Sequence, residues 1–256
     1  MASDSDQSAA NADLAANADR QTQLAHLGEV LAVLLGAYLF ASVVVAAVDP
    51  TLRGATVLPG TDNDTQILRT VVQFAALAAA VIWYGRVVRE GLLRAVVPDR
   101  RAALLMAGGI VTLVAANYGI SSLFTRLGFE SGTNAAVAAG AGDPTYFLIM
   151  IVVSIVFVGP AEELLFRGAV QGRLRASWGM WPAILAATAL FGLVHAPAVS
   201  GGRAAVASAV VTATILGVLL GYLYERTDNV VVPAVVHGVN NAVIFAGLYL
   251  GEIGVL

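Results

Sequence analysis

Three short stretches carry the residues able to do chemistry: Glu162-Glu163-Leu164-Leu165-Phe166-Arg167, Phe191-Gly192-Leu193-Val194-His195 and His237-Gly238-Val239-Asn240-Asn241. On a helix, Glu163 and Arg167 are four residues apart on one face with the acid first, the better order for an ion pair. Glu162 points ~100° away from Glu163, so one carboxylate can be held while the other faces elsewhere. The same four-residue spacing joins Phe191 to His195 and His237 to Asn241. The chemistry these groups permit is hydrolysis. A poorly solvated carboxylate gains affinity for protons, which suits it to take one from water. His195 could share or polarise that water. His237 and the Asn241 amide could donate to the oxygen that becomes negative in a tetrahedral intermediate. A second arrangement makes Glu162, His195 and His237 three ligands of a catalytic zinc, with the fourth position left for water. The His-Glu-x-x-His zinc helix is absent, and the choice between metal and no metal stays open at this point.

Each residue also has a plainer reading. Two glutamates near the end of a long helix can simply be solvated, and histidine or asparagine in a membrane helix commonly bridges to a neighbouring helix. Their distribution argues otherwise. A charged group at bilayer depth costs ~2.5–3.5 kcal/mol on insertion scales, so such groups persist chiefly where they act. The apolar spans are almost bare of ionisable groups outside these stretches, and of the three histidines only His26 lies elsewhere. Pro160, just upstream of the glutamates, interrupts the hydrogen-bond ladder and can open a kink that water reaches.

The elements that must position these groups are membrane helices. The chain is 58% hydrophobic and only 12% charged, against about 25% charge in a soluble domain. The fold class is all-α, a polytopic membrane helical bundle. A span needs ~20 mostly apolar residues, and seven candidates fall at about 29–48, 67–86, 102–124, 146–174, 180–196, 204–224 and 230–250. Pro160 and Pro182 are expected to break or tilt their helices, because simple depth counting leaves Glu162, His195 and His237 at different levels. The loops 49–66 and 125–144 are the longest and do not look like a second domain. Residues 1–25 hold Asp4, Asp6, Asp13 and Asp19 against Arg20 and few residues able to bury a core. They are expected to be a disordered acidic tail before a transmembrane domain over 26–256.

Composition excludes several classes. There is no cysteine, hence no thiol catalysis and no Cys-ligated zinc. The net charge of −3 leaves no footprint for nucleic acid. All 14 basic residues are arginine, and Arg86, Arg89, Arg94, Arg100, Arg101, Arg173, Arg175 and Arg226 fall on one set of loops, opposite Arg53, Arg69, Arg126 and Arg203. That bias puts the N-terminus and the 86–101 loop in the cytoplasm. The expected location is the cell membrane, multi-pass.

The pattern Glu-Glu-x-x-x-Arg, Phe-x-x-x-His and His-x-x-x-Asn, met as Glu162-Glu163…Arg167, Phe191…His195 and His237…Asn241, resembles that of the CAAX-protease and bacteriocin-processing (abortive-infection) family of intramembrane proteases. The resemblance covers about 145–245 and includes the Gly221-Tyr-Leu-Tyr-Glu-Arg-Thr stretch. It implies a helical bundle with a conical cavity open to the cytoplasm and an endopeptidase acting near that face on a membrane-anchored or lipidated peptide, prenylated in the CAAX case. It further implies Glu162 as water-activating base, His195 sharing the water, His237 and Asn241 on the oxyanion, and Glu163 with Arg167 in support. The family is often named as metallopeptidases, and a metal-free glutamate mechanism is also proposed for members, so the cofactor is left as unknown. Two other classes compete: a non-catalytic scaffold or bacteriocin-immunity-type protein, and an ion or proton carrier, which would usually show repeat symmetry absent here.

Overall fold

The computed structural model describes residues 4–52, 63–89, 91–129 and 132–256. Most of the 49–66 loop, including Arg53, and the first three residues of the acidic segment lie outside them. Among the described residues, seven helical stretches are long and apolar enough to cross a bilayer: 17–52, 64–88, 100–126, 144–178, 180–198, 203–227 and 231–252. Each contains one of the spans read from the sequence, apart from a one-residue overhang of the last.

Helix α1 (Asp4–Leu52) and α2 (Asp64–Trp83, running on as a π-helical turn over Tyr84–Val88) form an antiparallel pair. The acidic stretch expected to lack structure is therefore helical from Asp4 onward. Its physical reason is composition: alanine is the best helix former, and the segment extends a long apolar helix, so no new nucleus has to form. Helix α3 (Arg100–Arg126) starts where the Asp99 carboxylate accepts from the Ala102 N–H at 2.7 Å, an N-cap worth ~1 kcal/mol. A short α4 (Ala135–Ala139) follows, preceded by strand β1 (Thr133–Asn134).

The fourth span is one continuous rod built from pieces. Helix α5 (Pro144–Val153) is capped by Asp143, whose carboxylate accepts from Tyr146 N–H, with Pro144 where a missing N–H costs nothing. A π-helical turn (Ser154–Val158), α6 (Gly159–Glu163), a longer π segment (Leu164–Gln171) and α7 (Gly172–Trp178) complete it. Pro160 thus widens the helix without breaking it: the residue whose carbonyl its ring would crowd, Val156, lies in the first π turn. Pro182 falls in the first turn of α8 (Met180–His195), where it needs no N–H partner, so the expected break there is absent. A 3₁₀ turn (Ala196–Ala198), strand β2 (Val199–Ser200), α9 (Arg203–Thr227) and α10 (Val231–Glu252) finish the chain. The two strands pair antiparallel, Thr133 with Ser200 and Asn134 with Val199.

Helix α10 and the rod are the most enclosed spans. Helix α10 packs against α5, α6, α3 and α9, while α8 lies along α9. Outward faces stay apolar, as at Leu35, Leu39, Leu104 and Val111, because lipid makes no demand for polarity. Apolar surface gains nothing by leaving lipid, so helices associate through close backbone contact at small residues. Gly159 and Gly238 supply it: a Cβ on Gly159 would lie 2.7 Å from the Ala234 carbonyl oxygen, and one on Gly238 would lie 2.9 Å from the Ile155 Cα. Gly238→Ala is accordingly expected to lower the thermal unfolding midpoint in detergent, with an overpacking cost of about 1–3 kcal/mol; an unchanged midpoint would show that the two helices part freely.

The two ends of the bundle differ in charge. At one end Glu29 joins Arg89 and Arg173, and Arg94 joins Asp228. Asn229 bonds the backbone of Val96 there as well. At the other end Asn63 bonds Asp143, Glu252 accepts from Gly142 N–H, and β1 meets β2.

Candidate active site

Glu162 and Glu163 sit between two π-helical segments, irregularities that often mark functional positions in helices. The two carboxylates are treated very differently. Glu163 is fully enclosed: its Oε2 accepts from Arg167 Nε at 2.8 Å, and its Oε1 accepts from His237 Nδ1 at 3.0 Å. Glu162 is 7% exposed and makes no hydrogen bond with a described residue. Its Oε2 lies 3.6 Å from His237 Nε2, beyond hydrogen-bond range.

His237 therefore stands between both glutamates, a position the sequence reading did not give it. Its Nδ1–H is committed to Glu163, which turns Nε2 toward Glu162. The ring of Phe191 ties the site together: its centroid is 4.6 Å from that of His195, 5.6 Å from that of His237, 5.1 Å from that of Phe166 and 5.3 Å from the Arg167 guanidinium carbon. His195, at the last turn of α8, bonds through Nδ1 to the Phe191 carbonyl oxygen at 2.7 Å. A carbonyl can only accept, so Nδ1 carries a proton, and in the neutral ring Nε2 is the atom with the lone pair.

A cavity of about 290 Å³ brings His195, His237 and Asn241 together. Asn240 also lines it; its Oδ1 accepts from Asn117 Nδ2 at 3.3 Å and its Nδ2 donates to Asn241 Oδ1 at 3.4 Å. That chain of amides leaves the Asn241 NH₂ without a described partner. Asn117 and Asn240 were not singled out from the sequence, although an asparagine in a charge-free span such as α3 is itself a signal of interhelical bonding.

On the side away from the cavity, Glu163, Arg167 and Gln171 follow one another at four-residue intervals, each fully buried. Gln171 Nε2 donates to the Gly221 carbonyl at 3.0 Å and to Glu225 Oε1 at 2.9 Å; Glu225 in turn meets Arg175 Nε at 3.0 Å. Arg167 Nη1 and Nη2 have no hydrogen-bond partner among the described residues, and the face of Phe191 takes the cation instead. Gln171 and Glu225 extend the site beyond the six expected residues, and the regular spacing after Arg167 was the sequence signal for the first.

The three-ligand zinc arrangement is not met. Among the described residues no three His, Asp or Glu side chains are grouped closely enough to hold a metal ion.

The cavity extends from the candidate catalytic side chains toward one end of the bundle. Its lining includes Phe124, Gly132, Asn134 and Val199, at the β1–β2 end, and nothing from the arginine-rich end.

A comparison with known protein families matches part of the chain. Residues 144–243 fit the family described as Type II CAAX prenyl endopeptidase Rce1-like, close to the 145–245 core expected from the motifs. No curated protein and no solved structure matches the chain. With seven bilayer-length helices and this match, the chain is a multi-pass membrane protein. Residues 144–243, which carry all six of the anticipated site residues, match the family model of the Rce1-like type II CAAX prenyl endopeptidases.

Proposed function

We propose that the chain is an intramembrane endopeptidase hydrolysing a peptide bond of a membrane-anchored or lipidated substrate, with Glu162 as the base. The observation that carries this reading is the inequality of the two glutamates: Glu163 is locked by Arg167 and His237, while Glu162, one residue away, makes no hydrogen bond with a described residue and only approaches His237 Nε2 at 3.6 Å. A carboxylate without committed partners in a poorly solvated site is suited to accept a proton from water. The His195 Nε2 lone pair accepts the second hydrogen of the same water. The oxygen then adds to the scissile carbonyl carbon as Glu162 takes the proton. The resulting oxyanion receives the Asn241 NH₂ and, when the ring carries both protons, His237 Nε2–H. Collapse breaks the carbon–nitrogen bond, and Glu162 returns its proton to the leaving amine.

The test is a comparison of membrane-protein termini in cells carrying the native chain or Glu162→Ala. New termini near a membrane anchor that vanish in the variant are the expected result. Identical termini, with both proteins present at equal level, would overturn the enzyme reading in favour of a scaffold. Because the donors fail to converge on a metal position, chelation is expected to leave hydrolysis unchanged; a stoichiometric zinc lost together with activity would overturn that expectation.

A further inference from the structure

Away from the candidate active site, the arginine-rich end of the bundle carries a separate hollow of about 190 Å³. It lies between the start of α3 and the α9–α10 turn, and Arg94, Arg101 and Arg226 line it. The one carboxylate in its lining, Asp99, is committed to capping α3 through the Ala102 N–H. Arg94 is paired, with its Nη1 2.7 Å from Asp228 Oδ2. Arg101 and Arg226 make no hydrogen bond or ion pair with a described residue, and the Arg226 guanidinium carbon lies 5.8 Å from the centroid of Tyr222. The walls are fixed by the protein itself. Asn229, 2% exposed, accepts from Val96 N–H and Val231 N–H and donates to the Val96 carbonyl. The Val230 N–H donates to the Arg94 carbonyl at 2.9 Å. The 94–96 segment is thus pinned to the turn that starts α10.

Depth in the bilayer decides which anion fits. Arg100 and Arg101 open α3, a helix of bilayer length, and Leu105, one turn further on, completes the lining. An adjoining hollow of about 670 Å³ shares Asp99, Arg101 and Leu105 with the first and adds Arg100 and Leu104. Leu104 and Val111 face outward along the same helix, and Val97 in the loop before it is 92% exposed. The arginines therefore lie where a span leaves the hydrocarbon, at headgroup depth, and apolar surface continues from them into the membrane. A small soluble anion would use the guanidinium groups and none of the apolar surface. A guanidinium presents paired N–H donors that match two phosphate oxygens, and basic pockets between membrane helices hold anionic headgroups.

We propose that this hollow binds the phosphodiester of an anionic membrane phospholipid, with Arg101 and Arg226 on the phosphate oxygens and an acyl chain along Leu105 and Leu104. Two cations without a counter-charge on the wall of one hollow stabilise an anion placed between them. The site stands apart from Glu162 and Glu163, and it does not depend on the hydrolase reading. A lipid held there joins α3 to the α9–α10 turn, from which α10 runs on to His237 and Asn241.

The probes are dioleoyl phosphatidylglycerol, dioleoyl phosphatidylcholine and inorganic phosphate, each titrated into the full chain in a non-ionic detergent with the thermal unfolding midpoint as readout. Phosphatidylglycerol is expected to raise the midpoint saturably. Phosphatidylcholine and inorganic phosphate, at equal phosphate concentration, are expected to leave it unchanged. In the Arg101→Gln/Arg226→Gln variant the half-saturating lipid fraction is expected to rise about tenfold or more, because charged hydrogen bonds to the phosphate are lost. The Arg20→Gln/Arg86→Gln variant removes the same charge outside the hollow but at the same end, where the first turns of α1 meet Ser177. It is expected to keep the native saturation. All four arginines are exposed, so the lipid-free midpoints are expected to match the native one; if that of the first variant falls, Arg101→Gln alone carries the comparison. Equal weakening in the two double variants overturns the site in favour of general surface charge. An equal shift with inorganic phosphate overturns the lipid as occupant, and an equal shift with phosphatidylcholine overturns the anionic headgroup.

Discussion

Glu162→Gln is expected to slow hydrolysis by about 10²–10⁴-fold, the contribution typical of a positioned general base, while the thermal unfolding midpoint stays at the native value. The amide has the shape of the carboxylate, and no hydrogen bond to a described residue is lost: the nearest basic atom, His237 Nε2, is 3.6 Å away. Glutamine cannot take up the proton of the attacking water, so the loss falls on the chemical step. Single-turnover cleavage of the identified substrate, with unfolding followed in the same detergent, reads both quantities. A loss below tenfold would remove Glu162 from the role of base. A loss accompanied by a lowered midpoint would make the effect structural. Glu163→Gln gives the contrast, because that carboxylate holds both Arg167 Nε and His237 Nδ1, and its replacement is expected to lower the midpoint.

The contrast also marks where the sequence stops being informative. Helix existence was legible because a bilayer imposes length and apolarity on each span, and from the second span to the seventh the limits move by only a few residues, with caps such as Asp99 and Asp143 setting the true start. The Glu163–Arg167 pair was legible because both partners lie on one helix at a spacing that geometry alone makes close. Which neighbour His237 takes was not. That depends on the rotation of α10 against the rod, set by the contact of Gly238 with the backbone of Ser154 and Ile155, and a single sequence does not encode helix rotation in any periodic signal. The same holds for Asn117 with Asn240 and for Gln171 with Glu225, each a bond between different helices. The helical start at Asp4 was missed for another reason: its polar residues argued against a buried core, but a helix that extends a membrane span needs no core of its own.

Arg167→Met is expected to be the most damaging single change to the fold. Arg167 and Glu163 are both fully buried and joined at 2.8 Å. Removing one partner of a buried pair leaves the other charge uncompensated, at a cost of about 3–5 kcal/mol, against a total stability of about 5–15 kcal/mol for a typical domain. The variant is expected to accumulate poorly and to unfold well below the native midpoint. Adding Glu163→Gln in the same chain removes the stranded charge and keeps an acceptor for His237 Nδ1–H, so the double variant is expected to recover much of the loss. Replacement of buried ion pairs by neutral groups of similar volume is often close to neutral. The non-additivity is the quantity to measure, from midpoints of the native chain, the two single variants and the double variant. If the double variant falls by the sum of the two single losses, the pair is not coupled. Arg167 would then be held by its contact with the Phe191 ring, and the inequality between Glu162 and Glu163 would lose its physical cause.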